Sequence, residues 1–291
     1  MKSILDSWIV YRTAEFIVKV LPKRIVLYLA EGIAEGAFFT FLRKNRAILM
    51  RNYSMIFHHR SKSELKWLAL RTFRNFSKFI YEFIRIPAMN LKKVREDFVF
   101  EGLERIEEVL RRGKGAIIMT AHLGNWELGG IAFSLKGFPL TVVVLPHRSR
   151  RVTDFFDRRR SSKGLKVVQV GEAKRETLKA LRRNECVAIL GDRTFSGRGI
   201  SFPFFGRPVQ FPLGAFQLSA RTGAPIIPTF NIRRRDGKFL LIFEPPIFFN
   251  QRTDKFQEDL RECLKRWTSI LERYVRQYPD QWYLFDPLFQ E

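Results

Sequence analysis

The chain has 291 residues, with 52 Lys and Arg against 29 Asp and Glu, which leaves a formal charge of +23. With 46% hydrophobic residues and 29 Phe, it carries too much apolar material for a disordered polycation such as a histone-like tail. The length admits one large domain or two modest ones with a substantial core, and two cysteines, Cys186 and Cys263, exclude a disulfide framework and suit a reducing compartment.

So basic a chain points to an anionic partner: nucleic acid, an anionic membrane surface, a phosphorylated substrate or an acidic carrier protein. The surplus of Phe beside the cations favours a lipid interface. From Ile4 to Phe41 apolar residues recur at helical spacing (Ile9, Phe16, Val20, then Leu29, Ile33, Ala37), with a break at Pro22 and basic clusters at Lys23-Arg24 and Arg43-Lys44-Arg46. Ile25 to Leu42 reaches the ~18 residues of a minimal span, but Glu31 and Glu35 inside it would each cost ~2.5 to 3.5 kcal/mol at a bilayer centre. The pattern predicts a membrane-associating helical region over 1–46 that lies on the surface, followed by an α/β domain over 47–291. The apolar stretch at Trp8 to Tyr11 is cut by Arg12 before it reaches signal-peptide length, so the protein is expected to remain where it is made. Leu65 to Ile86 repeats the amphipathic pattern, with Leu68, Phe73, Phe76, Phe79, Ile80 and Phe83 among Lys66, Arg71, Arg74, Lys78 and Arg85. Core packing is the plainer reading of each such stripe.

After Gly113 short β-rich runs alternate with polar helical stretches. The runs are Ala116 to Thr120, Leu140 to Leu145, Leu165 to Val170, Cys186 to Leu190, Ile226 to Ile232 and Phe239 to Phe243. Glu172 to Arg183, Leu213 to Arg221 and Asp254 to Gln277 read as helices. This alternation predicts an α/β fold with a mainly parallel central sheet flanked by helices, in which ligands gather at the carboxyl ends of the strands.

The first of these runs ends in Ala121-His122-Leu-Gly-Asn125-Trp-Glu127-Leu-Gly-Gly130. His-x4-Glu is weak as bare spacing, since His59 and Glu64 repeat it in a polar segment with no strand before it. Residues five apart on a continuous helix lie ~140° apart around the axis. A His122–Glu127 dyad therefore needs His122 on the strand-to-helix turn and Glu127 in the first helical turn, which Gly124 and the N-cap former Asn125 permit. In that arrangement His122 is a general base for a hydroxyl, and Glu127 fixes its tautomer and stabilises the imidazolium. A hydrogen-bonded structural histidine is the alternative. No nucleophilic Ser or Cys stands nearby in the sequence, so the acceptor hydroxyl would attack directly.

The block Ala121 to Gly130 resembles the His-x4-Asp/Glu block of the bacterial lipid A biosynthesis (lauroyl/myristoyl) acyltransferases. Other stretches resemble that family in the same order: Met50-Arg51-Asn52-Tyr53, Leu145-Pro-His-Arg148, Gly191-Asp192-Arg193 with Phe202-Pro-Phe204-Phe-Gly206, Thr222 to Pro228, and Tyr278-Pro-Asp-Gln-Trp282. The likeness runs from roughly residue 45 to 283. It implies a glycerolipid acyltransferase-like fold without cofactor or metal. It also implies a peripheral, monotopic place on the cytoplasmic face of the inner membrane, and acyl transfer from acyl carrier protein, or acyl-CoA, to a glycolipid hydroxyl with His122 as base and Glu127 as its partner. The chain departs from the family's closing Trp-x-His-Arg-Arg element, reading Leu284-Phe-Asp286-Pro287, and has Arg193 where Gln or His is common.

Eight Lys and Arg fall between His147 and Lys166, a run that reads as a solvated helix face or as a phosphate and carrier-protein contact through Arg148 and Arg151. Asn125, Asp192 and Arg193, at the same expected sheet edge, are candidate substrate contacts, with a turn cap as the plainer role for Asp192. Gly197, Gly199 and Gly206 with Phe202, Phe204 and Phe205 suit a flexible apolar wall for an acyl chain, and core packing suits the Phe residues as well. Two further functions compete: a lysophospholipid acyltransferase, and a non-enzymatic basic protein that binds nucleic acid or anionic lipid. The absence of a recognised nucleic-acid motif and the spread of basic residues disfavour nucleic acid as a partner.

Overall fold

The computed structural model describes residues 7–194, 199–249 and 255–289. Four helices come first: α1 (Trp8–Val20), α2 (Lys23–Phe39), α3 (Arg43–Ile56) and α4 (Lys62–Ile84). There follow α5 (Leu91–Asp97), β1 (Phe98–Glu101), α6 (Leu103–Leu110), β2 (Ala116–Thr120), α7 (Trp126–Leu135), β3 (Leu140–Val144), α8 (Arg150–Ser161), β4 (Lys166–Gln169), α9 (Ala173–Arg182) and β5 (Cys186–Leu190). The chain continues through β6 (Ile200–Phe204), β7 (Arg207–Phe211), α10 (Gly214–Thr222), β8 (Ile226–Arg233), β9 (Phe239–Phe243) and α11 (Phe256–Gln277).

Seven strands form one sheet in the order β1-β9-β8-β2-β5-β3-β4. The strands β8, β2, β5, β3 and β4 run parallel; β9 is antiparallel to β8, and β1 is parallel to β9. The expected mainly parallel sheet is therefore present. Its strands read as continuous Ile, Val and Leu because both faces are covered. On one face Ile117, Met119 and Val187 join α9, α10 and α11; on the other Ile118, Leu140 and Cys186 join α6, α7 and α8. The strand β1 and the hairpin β6–β7 were not singled out from sequence.

The N-terminal helices pack onto this body. Ala34 and Phe38 of α2 share a buried cluster with Tyr53 of α3, Phe73 of α4 and Ile117 of β2, and Tyr11 of α1 lies against Phe155 and Phe156 of α8. Glu31 and Glu35 face Lys78 and Arg74 of α4 at 2.9 and 2.5 Å. Among the described residues no single helix is long and apolar enough to cross a membrane; α2 and α3 reach that length together only across an 86° bend. The His59–Glu64 spacing proves to be helix capping, since Ser61 and Glu64 form a capping box at the start of α4.

Candidate active site

In the sheet β2 and β5 are paired up to the rung Thr120–Leu190, and His122 and Asp192 each stand two residues beyond it. His122 Nδ1 lies 2.8 Å from Asp192 Oδ1, and the His122 backbone N–H donates to Asp192 Oδ2 at 3.1 Å. Trp282 Nε1 donates to the same Oδ2 at 3.1 Å. Asp192 is fully buried. Burial alone would raise its pKa, but the charge and hydrogen bond of His122, with Arg193 and Trp282, outweigh burial and hold the carboxyl below the ordinary carboxylate range. An ionised carboxylate only accepts, so Nδ1 carries a proton and Nε2 is the ring nitrogen left to exchange one.

The carboxylate hydrogen-bonded to His122 is Asp192, from the neighbouring strand, where the sequence spacing pointed to Glu127. Glu127, in the first turn of α7, accepts from Arg160 Nε and Nη2 at 2.9 and 2.6 Å, and Arg160 also donates to Asp157 at 3.0 Å. The pair Glu127–Arg160 is nearly buried, and both residues line the same cavity as His122. Arg160 sits in the basic run, yet with Val152, Phe155 and Phe156 it belongs to the inward face of α8. That i, i+4, i+8 spacing was the available signal for its burial.

The turn between β2 and α7 is tightly fixed. Gly124 has φ 69°, and a Cβ there would stand 2.0 Å from the Asn231 carbonyl oxygen, so only glycine fits. The Gly124 N–H donates to Gln281 O and the Asn125 N–H to Asn231 O, each at 2.8 Å. Asn125 is corrected from substrate contact to scaffold: it is fully buried, accepts from Leu128 N at 3.0 Å as the N-cap of α7, and donates to Glu82 at 2.7 Å. Glu82 in turn is clamped by Arg233 at 2.8 and 2.6 Å. The Tyr283 N–H donates to His122 O at 2.8 Å, and the ring of Trp126 stands edge-on to His122 at 5.0 Å and stacks on Phe79 at 4.5 Å.

The cavity at His122 has a volume of about 990 Å³. Its apolar depth follows from the strand register. The strands β3 and β5 are paired only from Leu140–Cys186 to Val142–Ala188; beyond that rung Val143, Val144, Ile189 and Leu190 line the cavity from opposite sides. Leu213, just before α10, and Gln217 of α10 bound it on one face of the sheet and Gly130 and Phe156 on the other. Separation of two strands at their carboxyl ends thus opens the sheet itself.

Of the remaining expected contacts, Arg193 lines this cavity and its Nη1 donates to Asp286 Oδ2 at 3.2 Å. The two positions at which the chain departs from the family pattern are therefore neighbours. Asn52 holds the segment that carries Asp286: its Nδ2 donates to Asp286 O at 2.9 Å, and its Oδ1 accepts from Leu288 N at 3.1 Å. Arg148 and Arg151 do not line this cavity: Arg148 is exposed and Arg151 lies over the Trp8 ring. Phe204 is corrected from groove wall to core, buried among Phe205, Phe211 and Trp282. Gly206 is no part of a flexible loop: Phe205 and Gly206, with φ 50° and 73°, form the two-residue turn of the β6–β7 hairpin. Gly197 lies outside the described residues. Sequence reasoning missed Trp126, Arg160 and Tyr283. Both thiols are buried and pushed up, Cys186 to about 12 and Cys263 to about 11, which suits neither as a nucleophile.

The profile of the bacterial lipid A biosynthesis acyltransferases matches residues 2–291. The chain belongs to that family. A member, it is 27% identical over 168 residues to a phosphatidylinositol mannoside acyltransferase of Mycobacterium tuberculosis, a match over 56% of this chain and 53% of that protein. The chain thus spans about half the length of that relative. To the phosphatidylinositol mannoside acyltransferase of Mycolicibacterium smegmatis it is 20% identical over 91% of this chain and 88% of that protein, and to a lipid A biosynthesis acyltransferase of Haemophilus influenzae 22% over 82% and 74%. The crystal structure of the 1-acyl-sn-glycerophosphate acyltransferase PlsC from Thermotoga maritima aligns over 84% of this family member and 98% of that chain, with 14% identity and a TM-score of 0.37.

Proposed function

We propose that the protein is a membrane-associated O-acyltransferase that moves a fatty acyl group from an acyl thioester, carried by acyl carrier protein or coenzyme A, to a hydroxyl of a glycolipid. The observation that carries this reading is the His122–Asp192 pair at an apolar cavity that continues between β3 and β5. A fatty chain in that gap sets its thioester beside the imidazole.

His122 Nε2 accepts the proton of the acceptor hydroxyl as its oxygen attacks the thioester carbonyl, and Asp192 stabilises the imidazolium that forms. Collapse of the tetrahedral intermediate breaks the carbon–sulfur bond, and the imidazolium returns the proton to the departing thiolate. The Gly124 and Asn125 amides are already paired with Gln281 and Asn231. The guanidinium of Arg193 and the Trp126 and Glu127 amides at the start of α7 are therefore the groups assigned to the developing oxyanion. A thioester is already activated, so positioning, base and charge stabilisation suffice.

The membrane part rests on exposed apolar side chains, Ile9, Phe16 and Val20 on α1 and Ile25, Tyr28 and Ile33 on α2, beside exposed Lys23, Arg24, Arg43 and Lys44. The test is incubation of the purified protein with an acyl thioester and a glycolipid acceptor, read by mass spectrometry. One added acyl unit on the acceptor, lost with His122→Ala, is expected. Acylation of lysophospholipid alone would transfer the reading to that acceptor class, and no product with either would overturn it.

A further inference from the structure

At 100° per residue around a helix, Trp8, Arg12 and Glu15 share one face of α1, and Ile9, Phe16 and Val20 share the adjacent face, about a quarter turn away. The second set is exposed. The first set faces α8 across another cavity, of about 470 Å³, which shares no lining residue with the cavity at His122. Its cations are Arg12, Arg151, Arg158 and Arg159, set against two carboxylates, Glu15 and Asp154, with Trp8 and Phe155 as its aromatic walls.

The guanidinium groups are not all accounted for by those carboxylates. Arg12 donates to Glu15 at 2.7 Å, and Arg151 lies over the Trp8 ring at 5.4 Å. Arg159 is 7% exposed and packs flat on Phe155. Its Nη2 is ion-paired with Glu15 Oε1 at 3.1 Å, and its Nη1 donates to the Phe155 carbonyl oxygen at 3.2 Å. Among the described residues, its buried Nε has no hydrogen-bond acceptor. A buried donor in that state calls for an acceptor, and a phosphate offers several oxygens to it and to the exposed Arg151 and Arg158.

We propose that this cavity between α1 and α8 binds the phosphate of an anionic lipid headgroup, as a lipid site separate from the one where the acyl group is transferred. The geometry of α1 supplies the choice of ligand. With Ile9, Phe16 and Val20 among the acyl chains, the arginine face a quarter turn away stands at headgroup depth, where a lipid phosphate is in reach and the Trp8 indole meets the interface. A free phosphate has no use for that apolar ledge, and an acidic protein surface would not enter a cavity walled by Trp8 and Phe155. This inference rests on the membrane reading of the preceding subsection and adds lipid selectivity to it.

The experiment is co-sedimentation of the full chain with phosphatidylcholine vesicles and with phosphatidylcholine vesicles that contain phosphatidylglycerol. The protein is expected to favour the second, and Arg151→Gln with Arg158→Gln is expected to lower that preference about 30-fold, the effect of two cations at about 1 kcal/mol each near an anionic surface. A control that removes two exposed cations of α9 on the opposite face of the sheet, Lys174→Gln with Arg182→Gln, is expected to change it by less than about 3-fold if binding is local, since charges beyond a Debye length are screened. Equal losses in the two double variants, or none in either, overturn the site. Displacement by inorganic phosphate at matched phosphate concentration assigns the cavity to the free ion and overturns the lipid assignment, as does loss of acyl carrier protein binding in place of vesicle preference. Ile9→Ser with Phe16→Ser and Val20→Ser tests the membrane reading itself: if that variant binds both vesicles like wild type, the membrane reading fails. His122→Ala must leave vesicle binding unchanged, so failure of the acyl-transfer reading stays distinguishable.

Discussion

His122 and Asp192 occupy equivalent places, each two residues past the last shared rung of two neighbouring parallel strands, and the register that pairs Thr120 with Leu190 carries the imidazole to the carboxylate. The 2.8 Å contact is thus a product of strand order and not of local spacing. His122→Ala is expected to lower turnover ~10² to 10⁴-fold, the usual range for a general base. Asp192→Asn, which keeps the shape and removes the charge, is expected to lower it as well. Single-turnover rates with a purified donor measure both, and a near-normal rate in folded His122→Ala protein contradicts the mechanism.

Glu127→Gln should behave differently. It breaks a nearly buried bidentate pair with Arg160 and leaves the guanidinium with Asp157 as its remaining carboxylate, a loss below the ~3 to 5 kcal/mol of a buried charge left with no partner. Calorimetry is expected to show a large drop in melting temperature. If instead the variant melts like wild type while turnover collapses, Glu127 acts in the chemistry and not through Arg160.

The acid limb of stability should carry the signature of Asp192. Its folded pKa lies below the ordinary value, which is ~3.9 for an unfolded aspartate. The stabilisation is therefore complete above that unfolded value and is lost as pH falls from it towards the folded one. The melting-temperature gap between wild type and Asp192→Asn is expected to be present above about pH 4 and to narrow as pH falls below it. A gap that widens on acidification would reverse the assignment.

Chain-length preference should follow the rung at which β3 and β5 part. Ala188 sits on that rung and lines the cavity, as does Gly130, where an added Cβ would meet Leu140 and Leu165 at ordinary contact, 3.5 Å. Ala188→Leu and Gly130→Val are expected to favour shorter chains. Excluding two methylenes at ~0.8 kcal/mol each shifts the long-to-short product ratio by roughly 15-fold. Competition between donors of different length, read by mass spectrometry, measures the shift; an unchanged profile in folded variants removes the acyl chain from this gap.

Two glycines with the same backbone sign should respond unequally. Gly206 has φ 73° and nothing within 4 Å of an added Cβ, whereas Gly124, at 69°, would collide with the Asn231 backbone. Gly206→Ala is expected to cost about 1 to 2 kcal/mol through its left-handed backbone alone and to spare activity. Gly124→Ala is expected to displace the turn that carries His122. Denaturant melts and rates on the same preparations separate the two.

Much of the scaffold was legible in the chain because burial on both faces of a parallel sheet demands continuous apolar strands. Ala116 to Thr120 and Cys186 to Leu190 announce themselves as strands, and the loops after them as the place for chemistry. The hairpin β6–β7 was not legible, since Pro203 and Pro208 weaken a strand pattern, and its turn places Phe205 at positive φ, where a bulky residue is rare.

By itself the sequence determined which residue types stand at the sheet rim: a histidine after one strand, an aspartate and an arginine after another, and carboxylates and guanidinium groups nearby. Only the tertiary structure decided the pairing, giving His122 to Asp192 and Glu127 to Arg160. A hydrogen bond acts over about 3 Å, and strand order, not distance along the chain, sets which groups come that close.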